Sequence, residues 1–203
     1  MNRIGLLCLI VLLALTGTAL AQQTTESETE DTAATANEVV AVSGEYVRYE
    51  ATDFGFALEL PDSGRIITPA DEDWQGEKES VFRWESDGWE PITMIWGRVD
   101  AFEAPIDKLS FDIICGTALE SWEDDPASFE IVTANEKLLI EGQEWRLIEI
   151  ADSSRGDGQE IYYSIFCTYR ENSFYTLMMY YREPVNDTIR QYGIPIIYSF
   201  ELL

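Results

Sequence analysis

The sequence predicts an α+β fold: a mainly antiparallel sheet flanked by helices. Two observations carry that prediction. From Gly44 onward, short segments of alternating apolar and polar residues follow one another, joined by turn pairs such as Asp87-Gly88 and Glu171-Asn172. Two stretches with helical spacing interrupt them, one in the middle and one near the end. Strands, helix, strands, helix is the element order of an α+β sandwich.

The folded part opens with EYVRYEA and FGFALEL, where Phe54, Phe56, Leu58 and Leu60 alternate up to Pro61. A polar loop is expected from there to about Glu79. SVFRWES and EPITMIWGRVDA then read as a hairpin across Asp87-Gly88. A helix is expected from about Pro105 to Trp122, because Phe111, Cys115, Ala118 and Trp122 recur at i, i+4, i+7 and i+11. Pro105 and Pro126 mark its boundaries. SFEIVTAN, EKLLIEGQ, EWRLIEIAD, QEIYYSIFCTYRE and SFYTLMMYYRE follow as strands, the last three as a meander turning at Asp157-Gly158 and Glu171-Asn172. Val185, Ile189, Tyr192 and Ile196 give a final helix, which Pro195 is expected to kink or stop. Residues 44–203 amount to about 160 residues, enough for one substantial core and too few for two.

What precedes this domain differs in kind. Arg3, an apolar run from Ile4 to Leu15 and small residues at Ala19 and Ala21 form the three regions of a secretory signal, with cleavage expected after Ala21. A spanning helix needs roughly 20 apolar residues; extending the segment to Ala21 approaches that length, so a retained N-terminal anchor is the alternative. Both place residues 44–203 outside the cytoplasm, secreted or periplasmic. Gln22 to Ser43 is Thr-, Ser- and Glu-rich without an aromatic residue, the composition of a disordered acidic tether.

Charge and chemistry restrict function. Thirteen basic residues face 38 acidic ones, a net charge of −25. Such a surface repels nucleic acid and anionic membranes, whose binding depends on Lys and Arg. There is no histidine, which removes Ser-His-Asp and Cys-His catalysis and imidazole-ligated zinc. No cofactor and no metal site is expected. Cys8 leaves with the signal, and Cys115 and Cys167 remain: an oxidising compartment allows a bridge between them, and two buried unpaired thiols are the equal alternative.

Four segments resemble a known family. GFALELP (Gly55 to Pro61) is similar to the opening strand of PsbP-like domains, and LIEGQEWRLIEI (Leu139 to Ile150) to their glycine-centred turn into a long strand. YYSIFCTYRENSFYTLMMYYRE resembles their hairpin, and the terminal IIYSF their closing Ser-Phe. The resemblance implies an α/β/α sandwich around an antiparallel sheet, in the secreted bacterial branch of unassigned role. It also implies binding over catalysis, since the family includes an extrinsic subunit of the photosynthetic oxygen-evolving complex and a factor that binds a nuclear-transport GTPase. The Trp often found soon after the opening Pro is absent here, and Trp74 comes later. No functional residue is carried over.

Trp74, Trp84 and Trp89 are the candidate binding residues, since exposed tryptophans beside polar groups stack on sugars or anchor partners. The alternative use is sheet packing, with Trp84 alternating with Phe82. Arg155-Gly156-Asp157 is read as a hairpin tip, and Asn186-Asp187-Thr188 as a helix cap more than a glycosylation site. Asp152, Asp157 and Glu160 match no calcium loop, and Glu120, Glu123, Asp124 and Asp125 read as a solvated helix end. The expected function is a non-catalytic accessory or binding module docking to a protein partner outside the cytoplasm. The alternatives are a carbohydrate-binding module and a hydrolase using a pair of facing carboxylates, one with a raised pKa.

Overall fold

A computed structural model describes residues 38–43, 46–76, 78–88, 91–123, 128–154 and 160–203. The expected signal, its expected cleavage site after Ala21 and most of the expected tether lie outside these residues. Among the described residues no helix is long and apolar enough to cross a membrane.

Among the described residues, eleven strands fall into two antiparallel sheets. The first runs β1 (Glu38–Ser43), β2 (Tyr46–Ala51), β3 (Phe56–Pro61) and β11 (Glu201–Leu202). The second has the order β4 (Gly64–Ile67), β5 (Ser80–Ser86), β6 (Ile92–Ala101), β10 (Ser173–Tyr181), β9 (Ile161–Arg170), β8 (Gln143–Asp152) and β7 (Phe129–Ile140). Two helices, α1 (Lys108–Glu123) and α2 (Asp187–Tyr198), complete the domain. The α+β architecture expected from the pattern is the one observed.

The core lies between the sheets, and it is aromatic. Phe56 stacks on Phe200 at 5.3 Å, Tyr49 tilts against Phe82 at 4.8 Å, and Trp145 meets Phe200 edge-on at 4.9 Å. Such pairs add about 0.5–1.5 kcal/mol each beyond the area they bury. Phe82 fits because its cross-strand partner is Gly97: a Cβ there would lie 2.1 Å from the ring. On the opposite face of the second sheet, α1 packs against β7 and β9, Phe111 resting on Tyr169 and Phe174. With both faces covered, β8 and β9 are buried over most of their length, and so read as apolar runs. Asp107 caps α1, its Oδ1 accepting from the Ser110 amide at 2.7 Å.

Five expectations need correction. Glu38–Ser43 was assigned to the tether, but it pairs with β2 as β1; its Val39, Val40 and Val42 supply the strand propensity that the surrounding Thr and Glu obscure. The loop expected up to Glu79 contains β4, which pairs with β5. Phe54 lies outside the alternation, in a short 3-10 turn ended by Gly55 at φ 72°, and is 37% exposed. SFEIVTAN and EKLLIEGQ form one strand, β7, whose register shifts around Thr133–Glu136 accommodate Asn135 at φ 52°. Pro195 does not stop α2 early: the helix runs on to Tyr198. The fully buried Ile196 and Ile197 tie that last turn to the core, and Ser199 closes it by donating to the Ile196 carbonyl at 2.7 Å.

Candidate functional site

A cavity of about 220 Å³ opens at one end of the seam between the sheets. Tyr46 enters from β2, Pro61, Asp62 and Ser63 from the β3–β4 turn, Trp84 from β5, Pro91 and Ile92 from the head of β6, and Tyr192 from α2. Trp84 is the floor. It is fully buried, its Nε1–H donates to the Pro61 carbonyl at 2.8 Å, and its ring covers Gly64, where a Cβ would approach within 2.4 Å. That fixed ring gives the cavity its shape. Tyr192 is a wall and is 47% exposed.

Among the described residues the lining carries one carboxylate, Asp62, no Lys or Arg, and the hydroxyls of Tyr46, Ser63 and Tyr192. What the cavity can do is take an apolar or aromatic group beside a polar rim. Ligand pockets span about 300–1,000 Å³, so this one suits a single side chain of a partner better than a whole small molecule.

The three tryptophans meet different fates. Trp84 lines the cavity, but its complete burial leaves no ring face for stacking on a sugar, so sheet packing is its main use. Trp74 is half-buried on the β4–β5 loop with its ring laid over Gly76, and does not line the cavity. Trp89 lies outside the described residues, as does Arg155-Gly156-Asp157. Tyr46, Ile92 and Tyr192, the other main walls, were not singled out in the sequence. They come from separate segments, and only the pairing of sheets and helix unites them.

Other clusters are ionic. Arg146 on β8 is completely buried beneath α1, its guanidinium 5.1 Å from the Phe111 ring centroid. It pairs with Asp112 of α1 and, at 2.5 Å, with Glu144. Burial alone would lower the Arg146 pKa, but the hydrogen bonds it donates to Glu144 and Asp112 outweigh it and hold it above its ordinary value. The same bonds to Arg146 hold both carboxyls below theirs. These two acids do come together, with a cation between them and neither raised, which is the reverse of what a general acid requires. On the other face of β8, the buried Glu149 accepts from Arg190 at 2.9 Å and from the Thr133 hydroxyl. Asp152 is buried and accepts from the Ser154 amide at 2.8 Å, whereas Glu160 is exposed and accepts from the Tyr162 hydroxyl. Among the described residues no group of three or more Cys, Asp and Glu is placed to hold a metal ion. Asn186 precedes α2, its carbonyl accepting from the Arg190 amide at 2.8 Å. Cys115 and Cys167 are both buried free thiols.

No family model and no curated protein matches the chain. Among solved structures, cyanobacterial PsbP (CyanoP) from Synechocystis sp. PCC 6803 aligns at a TM-score of 0.57 and 12% identity, over 78% of this chain and 93% of that one. The fold is PsbP-like. The two sheets, the helix on the outer sheet face and the closing Ser199-Phe200 segment are thus parts of a PsbP-like sandwich, as the four resembling segments implied. At such low identity the likeness concerns the fold and assigns no residue a role. A Bacteroides thetaiotaomicron VPI-5482 protein aligns at a TM-score of 0.45 and 9% identity, over 73% of this chain and 45% of that one. A Pseudomonas aeruginosa protein of unknown function does so at 0.39 and 15%, over 75% and 90%. Neither carries any part of the functional argument.

Proposed function

We propose that this PsbP-like domain is a non-catalytic accessory module that docks a protein partner outside the cytoplasm. The observation that carries the reading is the cavity between Tyr46, Ile92 and the exposed Tyr192, braced from beneath by the buried Trp84. Interface hot spots are buried aromatic anchors in fitted pockets, surrounded by contacts that mainly exclude water. Here the cavity accepts the partner's anchor beside the exposed ring of Tyr192. A net charge of −25 selects against anionic partners and favours a neutral or cationic face.

The test places a photo-crosslinking amino acid at Asp62, on the rim, in the full-length protein expressed in its own organism. One predominant protein adduct is expected from the envelope or secreted fraction, and Tyr192→Ala should abolish it. A glycan adduct would replace the protein-docking reading with a carbohydrate one. An adduct that survives Tyr192→Ala, or none at all, would refute docking at this cavity.

A further inference from the structure

The packing of α1 on β9 brings two buried thiols together. Phe111 lies against Tyr169 with ring centroids 4.6 Å apart. Cys115 is one turn along α1 from Phe111, and Cys167 is two residues back along β9 from Tyr169 on the same strand face. A helical turn and a two-residue strand repeat both span about 5–7 Å, so the register that stacks the rings also stacks the thiols. Asp112 confirms the alignment independently, reaching Arg146, which stands opposite Cys167 in the ladder. The Cys115 thiol is in hydrogen-bond contact with that of Cys167, and the two residues are 1% and 6% exposed.

We propose that Cys115 and Cys167 form a disulfide that staples α1 to β9, and that the bond is made before α1 docks. The order follows from reactivity. In the docked state Cys115 and Cys167 are 1% and 6% exposed, so an oxidant in solution has no path to either sulfur. The attacking species is the thiolate, and the contact with Cys167 and burial also push the Cys115 thiol up toward its protonated form. In the undocked chain both cysteines meet solvent. One thiolate attacks the disulfide of an oxidant, either a small-molecule disulfide or an oxidoreductase's. That S–S bond breaks, one oxidant thiolate leaves, and a mixed disulfide remains. The second cysteine gives up its proton and attacks the protein sulfur of the mixed disulfide, expelling the other oxidant thiolate. The protein loses two electrons and two protons, and the oxidant disulfide becomes two thiols. The closed loop, about 50 residues long, contains β7 and β8, so the staple fastens the edge hairpin of the second sheet as well as α1.

Peptide mapping of the full chain, refolded with oxidised glutathione and digested without reductant, tests the proposal; Cys8 is read separately in the same map. One Cys115–Cys167 peptide is expected, two hydrogens lighter than its reduced parts. The urea midpoint should fall when dithiothreitol is added, and Cys115→Ala/Cys167→Ala should remove that response. Should that variant fail to fold, the wild-type comparison with and without dithiothreitol stands alone. Free or separately glutathionylated Cys115 and Cys167 after refolding would overturn the bridge. The reduced, folded protein should bridge slowly in oxidised glutathione and faster as urea is added; bridging as rapid in the folded state as in the unfolded one would overturn the proposed order.

Discussion

Replacing Arg146 should cost less than replacing its two partners, although the arginine is the larger group and the more deeply buried. Its side chain is 0% exposed, whereas those of Asp112 and Glu144 are 39% and 28% exposed. Arg146→Met keeps an apolar stem against Phe111, removes the buried cation, and leaves two carboxylates that water can reach. Exchanging a buried charge for a packed apolar group is often neutral or stabilising, so a change of about 1 kcal/mol or less is expected. In Asp112→Asn/Glu144→Gln the guanidinium stays buried without a counter-charge, and an uncompensated Arg146 at that depth costs about 3–5 kcal/mol. With a urea slope of about 2 kcal/mol/M, the two variants should separate by more than about 1 M in midpoint at pH 7. The pH dependence adds a second readout. Both carboxyls sit below their ordinary values of 3.8 and 4.5 in the folded protein. Their contribution is therefore complete above those values and is lost as pH falls through the depressed ones. Arg146→Met should flatten that acid limb. The reasoning fails if Arg146→Met loses as much stability at pH 7 as the double variant, or keeps the wild-type acid limb.

Three further outcomes are expected. Gly97→Ala puts a methyl group into the Phe82 ring and should cost about 1–3 kcal/mol; adding Phe82→Leu should return part of that, measured by thermal melts of the single and double variants. Arg190→Met strands Glu149, which is 1% exposed, and should cost about 3 kcal/mol in urea titration, more than Arg65→Met, whose partner Asp73 is 65% exposed. Tyr192→Ala should change stability by about 1 kcal/mol or less, because the ring is already 47% exposed, while abolishing the Asp62 crosslink; loss of fold in circular dichroism would refute its role as a surface wall.

Much of the fold was legible because period and burial agree. Phe56, Leu58 and Leu60 alternate in the sequence and are all buried in β3. Phe111 and Cys115 mark the inner face of α1, joined by Ile114. Where the reading failed, local sequence was outweighed by distant partners. β4 carries only Ile66 and Ile67 as apolar residues, too few for a periodic signal, and exists because β5 offers it a ladder. The Thr-Ala-Asn-Glu stretch reads as a turn, yet β8 pairs on both sides of it and absorbs the irregularity. Tryptophan identity says nothing about which way a ring faces. Trp84 shares a strand face with the fully buried Phe82, and that is the fact that decided its position. The cavity had no sequence signature, because Tyr46, Pro61, Trp84, Ile92 and Tyr192 span nearly the whole domain and meet only through sheet order.

The distribution of arginine connects this architecture to recognition. Arg48 is held by Glu50 and Glu201, Arg98 by Asp100 and Glu79, Arg146 by Asp112 and Glu144, and Arg190 by Glu149 and Asp187. Each joins segments distant in sequence or braces neighbours along one strand, and each takes two acids. With only 13 basic residues in the chain, a substantial part of its positive charge is committed to internal ties. The net charge of the chain is −25, so on the proposed docking reading a partner approaches a negative field and meets the cavity between Tyr46 and Tyr192, with Asp62 on its rim. Under that proposal field and cavity divide the work: long-range charge would set which partners approach and how fast, and the anchor held beside Tyr192 would set how long they stay.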